Sequence, residues 1–391
     1  MTSTSSESGG PPRRLQIVLS LLATVALLYL FLIGVESLAA GIKGLGKGVM
    51  DAYLGDALSP ILGLIGGILA TTLVQSSSVT TSLIVGMVGS GQLSVASAVP
   101  MIMGANIGTT VTNTIASLAH AGRTAEFRRA FAAATCHDFF NFLSVAVLLP
   151  VELITRAIFG RGLLEAGAGA IATWVTGAQG AKYDSPIKGA IKAGVHVVED
   201  GVGTLAESPK VIAIVTAVVG CVIIYGALAG IVRTMRALVL SRMEAYVNRF
   251  LGSGGPVGIV VGLVLTVMVQ SSSITTSVMV PLAGAGLVTV MQILPITIGA
   301  NIGTTVTALL ASMVVSGEAA MAARQIALVH LLFNLAGTLI WYAPPPLRMT
   351  SVRLAHRLAA IAARSKKAAV AYVLLIFYGL PALIFFVSRA F

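Results

Sequence analysis

The chain has 391 residues, of which 56% are hydrophobic and 10% charged, with a formal net charge of +11. Soluble domains carry about 25% charged residues, so a mean hydropathy of +0.95 excludes an ordinary soluble fold. It reads instead as an all-α polytopic membrane protein. The net charge does not mark a nucleic-acid binder, because the basic residues sit in short segments beside apolar runs, where the positive-inside rule accounts for them.

Residues 1–14 are Ser/Gly/Pro-rich and end on Arg13 and Arg14, which predicts a disordered cytoplasmic N-terminus. The apolar stretch from Leu15 to about Ala40 follows basic residues as a signal peptide would, but it exceeds the roughly 7–15 residues of an h-region. It is read as a spanning helix over 15–38. Pro60 to Val74 is then apolar or small, 15 residues that as helix reach about 22 Å against a hydrocarbon core of about 30 Å. Gln75-Ser76-Ser77-Ser78 interrupts it, and a second short apolar piece, Val79 to Val88, comes next. Two short pieces meeting at a polar tip predict a re-entrant hairpin over about 57–91, which a membrane tolerates only against protein or a wet cavity. Spans near 93–118 and 128–153 complete a first unit, 15–155.

Residues 156–209 mix acids with bases and are read as an external connecting segment, where long segments escape the charge rule. A second unit, 210–345, contains a span over 211–232, a hairpin over about 253–287, and spans near 288–315 and 322–343. Residues 346–367 interleave Arg353, Arg357, Arg364 and Lys366 with Val352, Leu354, Leu358 and Ile361, the pattern of an amphipathic helix at the cytoplasmic interface. Residues 368–391 form a final span. Cys136 and Cys221 lie in apolar stretches, so no disulfide framework is expected.

A repeat organises these elements. Gln75-Ser76-Ser77-Ser78-Val79-Thr80-Thr81-Ser82 recurs as Gln270-Ser271-Ser272-Ser273-Ile274-Thr275-Thr276-Ser277, and Gly104 to Thr112 recurs unchanged as Gly299 to Thr307. Both pairs are 195 residues apart; His137 and Asn141 recur 193 residues on as His330 and Asn334. If the hairpins do not cross, three spans separate equivalent points, so the copies are inverted. Inverted repeats with broken helices meeting near the midplane signify a transporter. The competing reading of the Ser, Thr and Gly residues is close helix association or bonding back to the backbone. The duplication of each whole motif argues against it, as does the expense of Asn106 and Asn301 in lipid.

Neither motif holds a basic residue. Hydroxyls and helix N-termini can still bind an anion, but they do not compensate a dianion in low dielectric. Bound cations would, and Na⁺ accepts hydroxyl, amide and carbonyl oxygens of the kind present. Asp138 is the only acid placed inside the spanning part of either unit, with Leu331 at the matching position. No catalytic triad, metal cluster or phosphate loop is present, so no enzyme is expected.

The paired Gln-Ser-Ser-Ser stretches, the paired Gly-Ala-Asn-Ile-Gly-Thr-Thr, and Arg128-Arg129-Ala130-Phe131 leading into His137-Asp138-Phe139-Phe140-Asn141 resemble the type II sodium/phosphate cotransporters. The resemblance implies two opposed hairpins whose tips bind inorganic phosphate, through Ser76, Ser77, Ser78, Ser271, Ser272 and Ser273. It implies sodium ligation around Gln75, Gln270, Asn106, Asn301, Thr109, Thr110, Thr304, Thr305 and Asn141, with Asp138 accompanying an extra sodium and electrogenic transport. The segment 156–209 lacks the cysteines of the animal members, and the short termini resemble bacterial ones. The expectation is thus a sodium-coupled phosphate importer in the cell (inner) membrane, N-terminus cytoplasmic, with no cofactor beyond co-transported Na⁺. Alternatives on the same scaffold are a sodium-coupled carrier of another small oxyanion and a passive anion channel.

Overall fold

The structure, a computed structural model, describes residues 13–45, 59–178, 186–204, 208–250, 255–315 and 319–390. Every regular element among them is helical. Among the described residues, seven helices are long and apolar enough to cross a membrane: Ile17–Gly44, Val95–Leu118, Thr124–Phe159, Pro209–Thr234, Val290–Val314, Ala320–Trp341 and Lys366–Ser388. The chain is therefore an all-α polytopic membrane protein, as its hydropathy predicts. Residues 1–12 of the expected disordered N-terminus lie outside the described residues, while Arg13 and Arg14 already belong to the first helix.

In the first half, α1 (Arg13–Gly44) is followed by the short helices α2 (Pro60–Val74) and α3 (Ser77–Gly89). The central span is divided at Thr110 into α4 (Val95–Thr109) and α5 (Val111–Leu118), and α6 (Thr124–Phe159) comes after it. The stretch read as a connecting segment is largely helical, as α7 (Leu163–Ala178) and α8 (Pro186–Gly203). The second half has α9 (Pro209–Phe250), α10 (Gly255–Val269), α11 (Ser272–Ser277), α12 (Met279–Gly284), α13 (Val290–Val314) and α14 (Ala320–Trp341). The amphipathic helix α15 (Pro345–Arg364) and a last span close the chain; that span is α16 (Lys366–Val373), a π-helical turn (Leu374–Gly379) and α17 (Leu380–Ala390). Pro281 explains why α11 and α12 are separate where α3 is continuous. Its missing N–H removes a helical bond and its ring crowds the turn before it.

Small residues set the closest helix contacts. A Cβ on Gly104 would strike the Leu64 carbonyl and one on Gly299 the Ile259 carbonyl, so α4 lies directly on α2 and α13 directly on α10. Packing is thus one real role of these glycines. The same device brings α1 onto α9, where a Cβ on Gly41 would meet the backbone of Ala213 and Ala217.

The radial distribution of polarity is inverted relative to a soluble protein. Leu22, Val25, Leu73, Leu339 and Phe386 are exposed on the periphery, while Thr81, Asn113, Thr114, Asp138, Asn141, Asn301 and Asn334 are buried in the middle. Apolar side chains face outward because lipid is their solvent. Polar ones inside must then find partners or ligands.

Asp138 is not the only acid in a span. Glu36 lies in α1 and Glu152 in α6. Glu152 sits where the chain turns from α6 into α7, and its carboxylate accepts from the backbone N–H groups of Leu164 (2.7 Å) and Glu165 (3.1 Å). It therefore caps the first turn of α7, where negative charge is favoured. Arg156 adds bonds to Glu165 (2.8 Å) and to the Ala96 carbonyl (3.1 Å).

Candidate functional site

Each serine motif sits where one short helix stops and the next begins. Among the described residues, Gln75 (φ 57°) and Gln270 (φ 55°) are the only non-glycine residues with positive φ, a conformation that costs roughly 1–2 kcal/mol. Local bonds hold both there. Gln75 Nε2 donates to the Thr72 carbonyl (2.5 Å) and Gln270 Nε2 to the Val267 carbonyl (2.7 Å), so each side chain caps the helix it ends. The amide oxygens are then aimed forward: Thr112 Oγ1 donates to Gln75 Oε1 (2.8 Å) and Thr307 Oγ1 to Gln270 Oε1 (2.7 Å).

The next residue starts a new helix. Ser76 Oγ accepts from Val79 N–H (3.3 Å) and Ser271 Oγ from Ile274 N–H (3.4 Å), which makes both N-caps. Each break leaves backbone groups free of helical partners, carbonyls on one side and N–H groups on the other. Carbonyls suit a cation; the N–H groups that open α3 suit an anion. The hydroxyls of Ser77, Ser272 and Ser273 form no hydrogen bond to another described residue.

The two breaks are neighbours. Ser78 Oγ donates to the Gln270 carbonyl across the halves (3.4 Å). Asn113 binds the second break more firmly: its Nδ2 donates to Thr276 Oγ1 (2.7 Å), and its Oδ1 accepts from Ser277 Oγ (2.9 Å). The two sides differ in access, since Gln75 is exposed and Gln270 is 7% exposed.

A buried amide chain runs beside the breaks. His137 Nε2 lies 2.7 Å from Asn301 Oδ1, and Asn301 Nδ2 donates to Asn141 Oδ1 (2.8 Å). Asn141 Nδ2 in turn donates to the Asn106 carbonyl (2.7 Å), and Asn334 Nδ2 to Asn106 Oδ1 (3.3 Å). Asn106, Asn301 and Asn141 are thus brought together from three helices. The hydroxyls of Thr109, Thr110, Thr304 and Thr305 instead donate to carbonyls of their own helices, at 2.7–3.0 Å. In this conformation only their lone pairs could serve a cation.

Asp138 is fully buried, and its carboxylate accepts from Thr114 Oγ1 (3.2 Å) and Tyr372 Oη (2.8 Å). His137, beside it, is engaged by Asn301 and Asn113 instead. Among the described residues, no arginine, lysine or histidine forms an ion pair with Asp138.

Sequence reasoning missed Thr112, Thr307, Asn113, Thr114 and Tyr372. The first two end the repeated nine-residue motif, so the repeat itself pointed at them. Asn113 and Thr114 stand where the second copy has Ala308 and Leu309. Like Asp138 against Leu331, they are polar departures of one copy from the other, and a comparison of the copies finds all three.

The family model described as Na⁺/Pi-cotransporter matches residues 30–172 and 222–385. Sodium-dependent phosphate transport protein 2A of Oryctolagus cuniculus is 34% identical over 97% of this chain and 69% of its own length. The 2A protein of Mus musculus is 35% identical over 94% of this chain and 67% of its own. The 2B protein of Homo sapiens is 31% identical over 95% of this chain and 65% of its own. No solved structure matches the chain.

Proposed function

The chain belongs to the Na⁺/Pi-cotransporter family, and from that premise we propose how its residues import inorganic phosphate together with sodium. It is a transporter and not an enzyme. The carrying observation is the pair of adjoining helix breaks at Gln75-Ser76 and Gln270-Ser271, joined between halves by Ser78 and Asn113.

Phosphate sits between the breaks, held by the hydroxyls of Ser76–Ser78 and Ser271–Ser273 and by the free N–H groups that open α3. Sodium ions occupy oxygen ligands around it: Gln75, Gln270, Asn106, Asn301 and Asn141, the lone pairs of Thr109, Thr110, Thr304 and Thr305, and Asp138. Their charge offsets that of a dianion which no arginine or lysine of the motifs meets.

The units 15–155 and 210–345 are inverted copies whose helix pairs enter as re-entrant hairpins, the first from outside and the second from inside. The protein lies in the cytoplasmic membrane with its N-terminus inside, an orientation supported by the basic segments at Arg13/Arg14, Arg123/Arg128/Arg129 and 348–367. Transport proceeds by alternating access. The exposure of Gln75 beside the burial of Gln270 supports an outward-facing state in which Asn113 holds the second break shut.

Binding tests the substrate assignment. Labelled phosphate should bind the detergent-purified protein saturably in Na⁺ and at least about tenfold more weakly in K⁺ or choline. An equal concentration of sulfate should not displace it. Equal displacement by sulfate would favour a carrier of another oxyanion.

A further inference from the structure

The last span belongs to neither repeated unit, yet it reaches the buried acid. Tyr372 Oη donates to Asp138 Oδ2 at 2.8 Å, shorter than either Thr114 contact to the same carboxylate (3.2 and 3.4 Å). The ring is held edge-on by aromatic neighbours from two elements, Phe131 of α6 (6.3 Å, 69°) and Phe377 of the last span itself (5.9 Å, 87°). Such contacts leave a tyrosine few alternative orientations.

The backbone of this span is distorted immediately after Tyr372. From Leu374 to Gly379 it widens into a π-helix, and the Leu380 N–H reaches back five residues to the Leu375 carbonyl. Pro381 comes next, and its missing N–H could not have continued an α-helical ladder to Phe377. One extra residue in a turn rotates the helix before it by about 100° relative to the helix after it. The π turn thus sets the face that carries Tyr372 independently of the lipid-facing residues beyond, such as Leu383 and Phe386. Isolated π turns of this kind recur at functional sites.

We infer that Tyr372 is a positioning residue of the sodium site to which Asp138 belongs, so that the last span, outside both repeats, helps set the coupling ion's affinity. The inference rests on the sodium role of Asp138 proposed above. The phenol fixes the carboxylate against α5 and presents an oxygen-only set with Thr114. Without its hydroxyl the carboxylate loses its shortest bond, keeps the longer Thr114 bonds, and is no longer held in a geometry that suits the ion. A residue that only tied the last span to the bundle would alter folding and turnover but not the sodium dependence.

The test compares full-length wild type, Tyr372→Phe and Asp138→Asn in proteoliposomes. Two quantities are read: the sodium concentration for half-maximal phosphate uptake, and the response to an imposed membrane potential. Tyr372→Phe keeps the ring between Phe131 and Phe377. It should raise the half-maximal sodium concentration about tenfold, the scale of a lost hydrogen bond to a charged group, while the rate at saturating sodium falls far less. Asp138→Asn should abolish the response to potential. If Asp138→Asn does so but Tyr372→Phe leaves the sodium dependence as in wild type, or lowers only the maximal rate, the positioning role is overturned and the sodium role of Asp138 stands. If Asp138→Asn also changes neither quantity, both fall together.

Discussion

Replacing Asp138 by asparagine should leave a carrier that still concentrates phosphate with sodium but no longer moves net charge. Asp138 is buried, bonded to two hydroxyls, and without an ion-pair partner among the described residues. Its neighbour His137 is bonded to Asn301 and Asn113 instead, and no described arginine pairs with Asp138. A buried carboxylate so placed is expensive unless a cation joins it. Divalent phosphate with two Na⁺ is neutral, so a third Na⁺ bound at Asp138, as proposed, would carry one positive charge inward per cycle. At an inside-negative potential that charge contributes about 2.3 kcal/mol per 100 mV, a further accumulation of roughly 50-fold. Wild-type uptake should therefore rise when valinomycin and a potassium gradient make the interior negative, and the uptake of Asp138→Asn should not. Wild-type uptake that ignores the potential contradicts the assignment.

Ser77→Ala and Ser272→Ala should each weaken phosphate transport by about tenfold or more in KM while leaving the thermal unfolding of the protein near that of wild type. These hydroxyls make no bond to another described residue, so deleting them removes nothing that holds the helix breaks. A hydrogen bond to a charged ligand contributes about 1.5–3 kcal/mol. Ser76→Ala and Ser271→Ala are the contrast, since they also remove an N-cap and should cost about 1 kcal/mol of stability. Unchanged kinetics in Ser77→Ala and Ser272→Ala would return the motif to a purely structural role.

Much of this was legible in the sequence, and the reason is the bilayer. Spans must be long and apolar, so the seven crossing helices emerged from hydropathy alone. A polar interruption between two pieces too short to span left little besides a broken helix. The repeat then gave each feature a second sighting. The left-handed glutamines were not legible, because nothing in a Gln-Ser-Ser-Ser string says that the amide turns back to cap one helix while the serine starts the next. The helices of the connecting segment were not legible: the mixed charge of 156–209 marked it as external but gave no helix boundary, because α7 is started from outside its own sequence by Glu152, which caps its N–H groups. Asp138 was found by its charge. Tyr372 could not be, since it lies some 230 residues away, outside both copies, among ordinary apolar neighbours of the last span.

The central claim is that sodium entering through this double-break site drives phosphate uphill. It is tested most directly by labelled phosphate uptake into proteoliposomes holding the full chain, with an inward sodium gradient and the membrane potential held at zero. Internal phosphate should rise above the external concentration and fall back when monensin dissipates the gradient. Phosphate that only equilibrates, at a rate indifferent to sodium, would contradict it and leave a passive anion channel in its place.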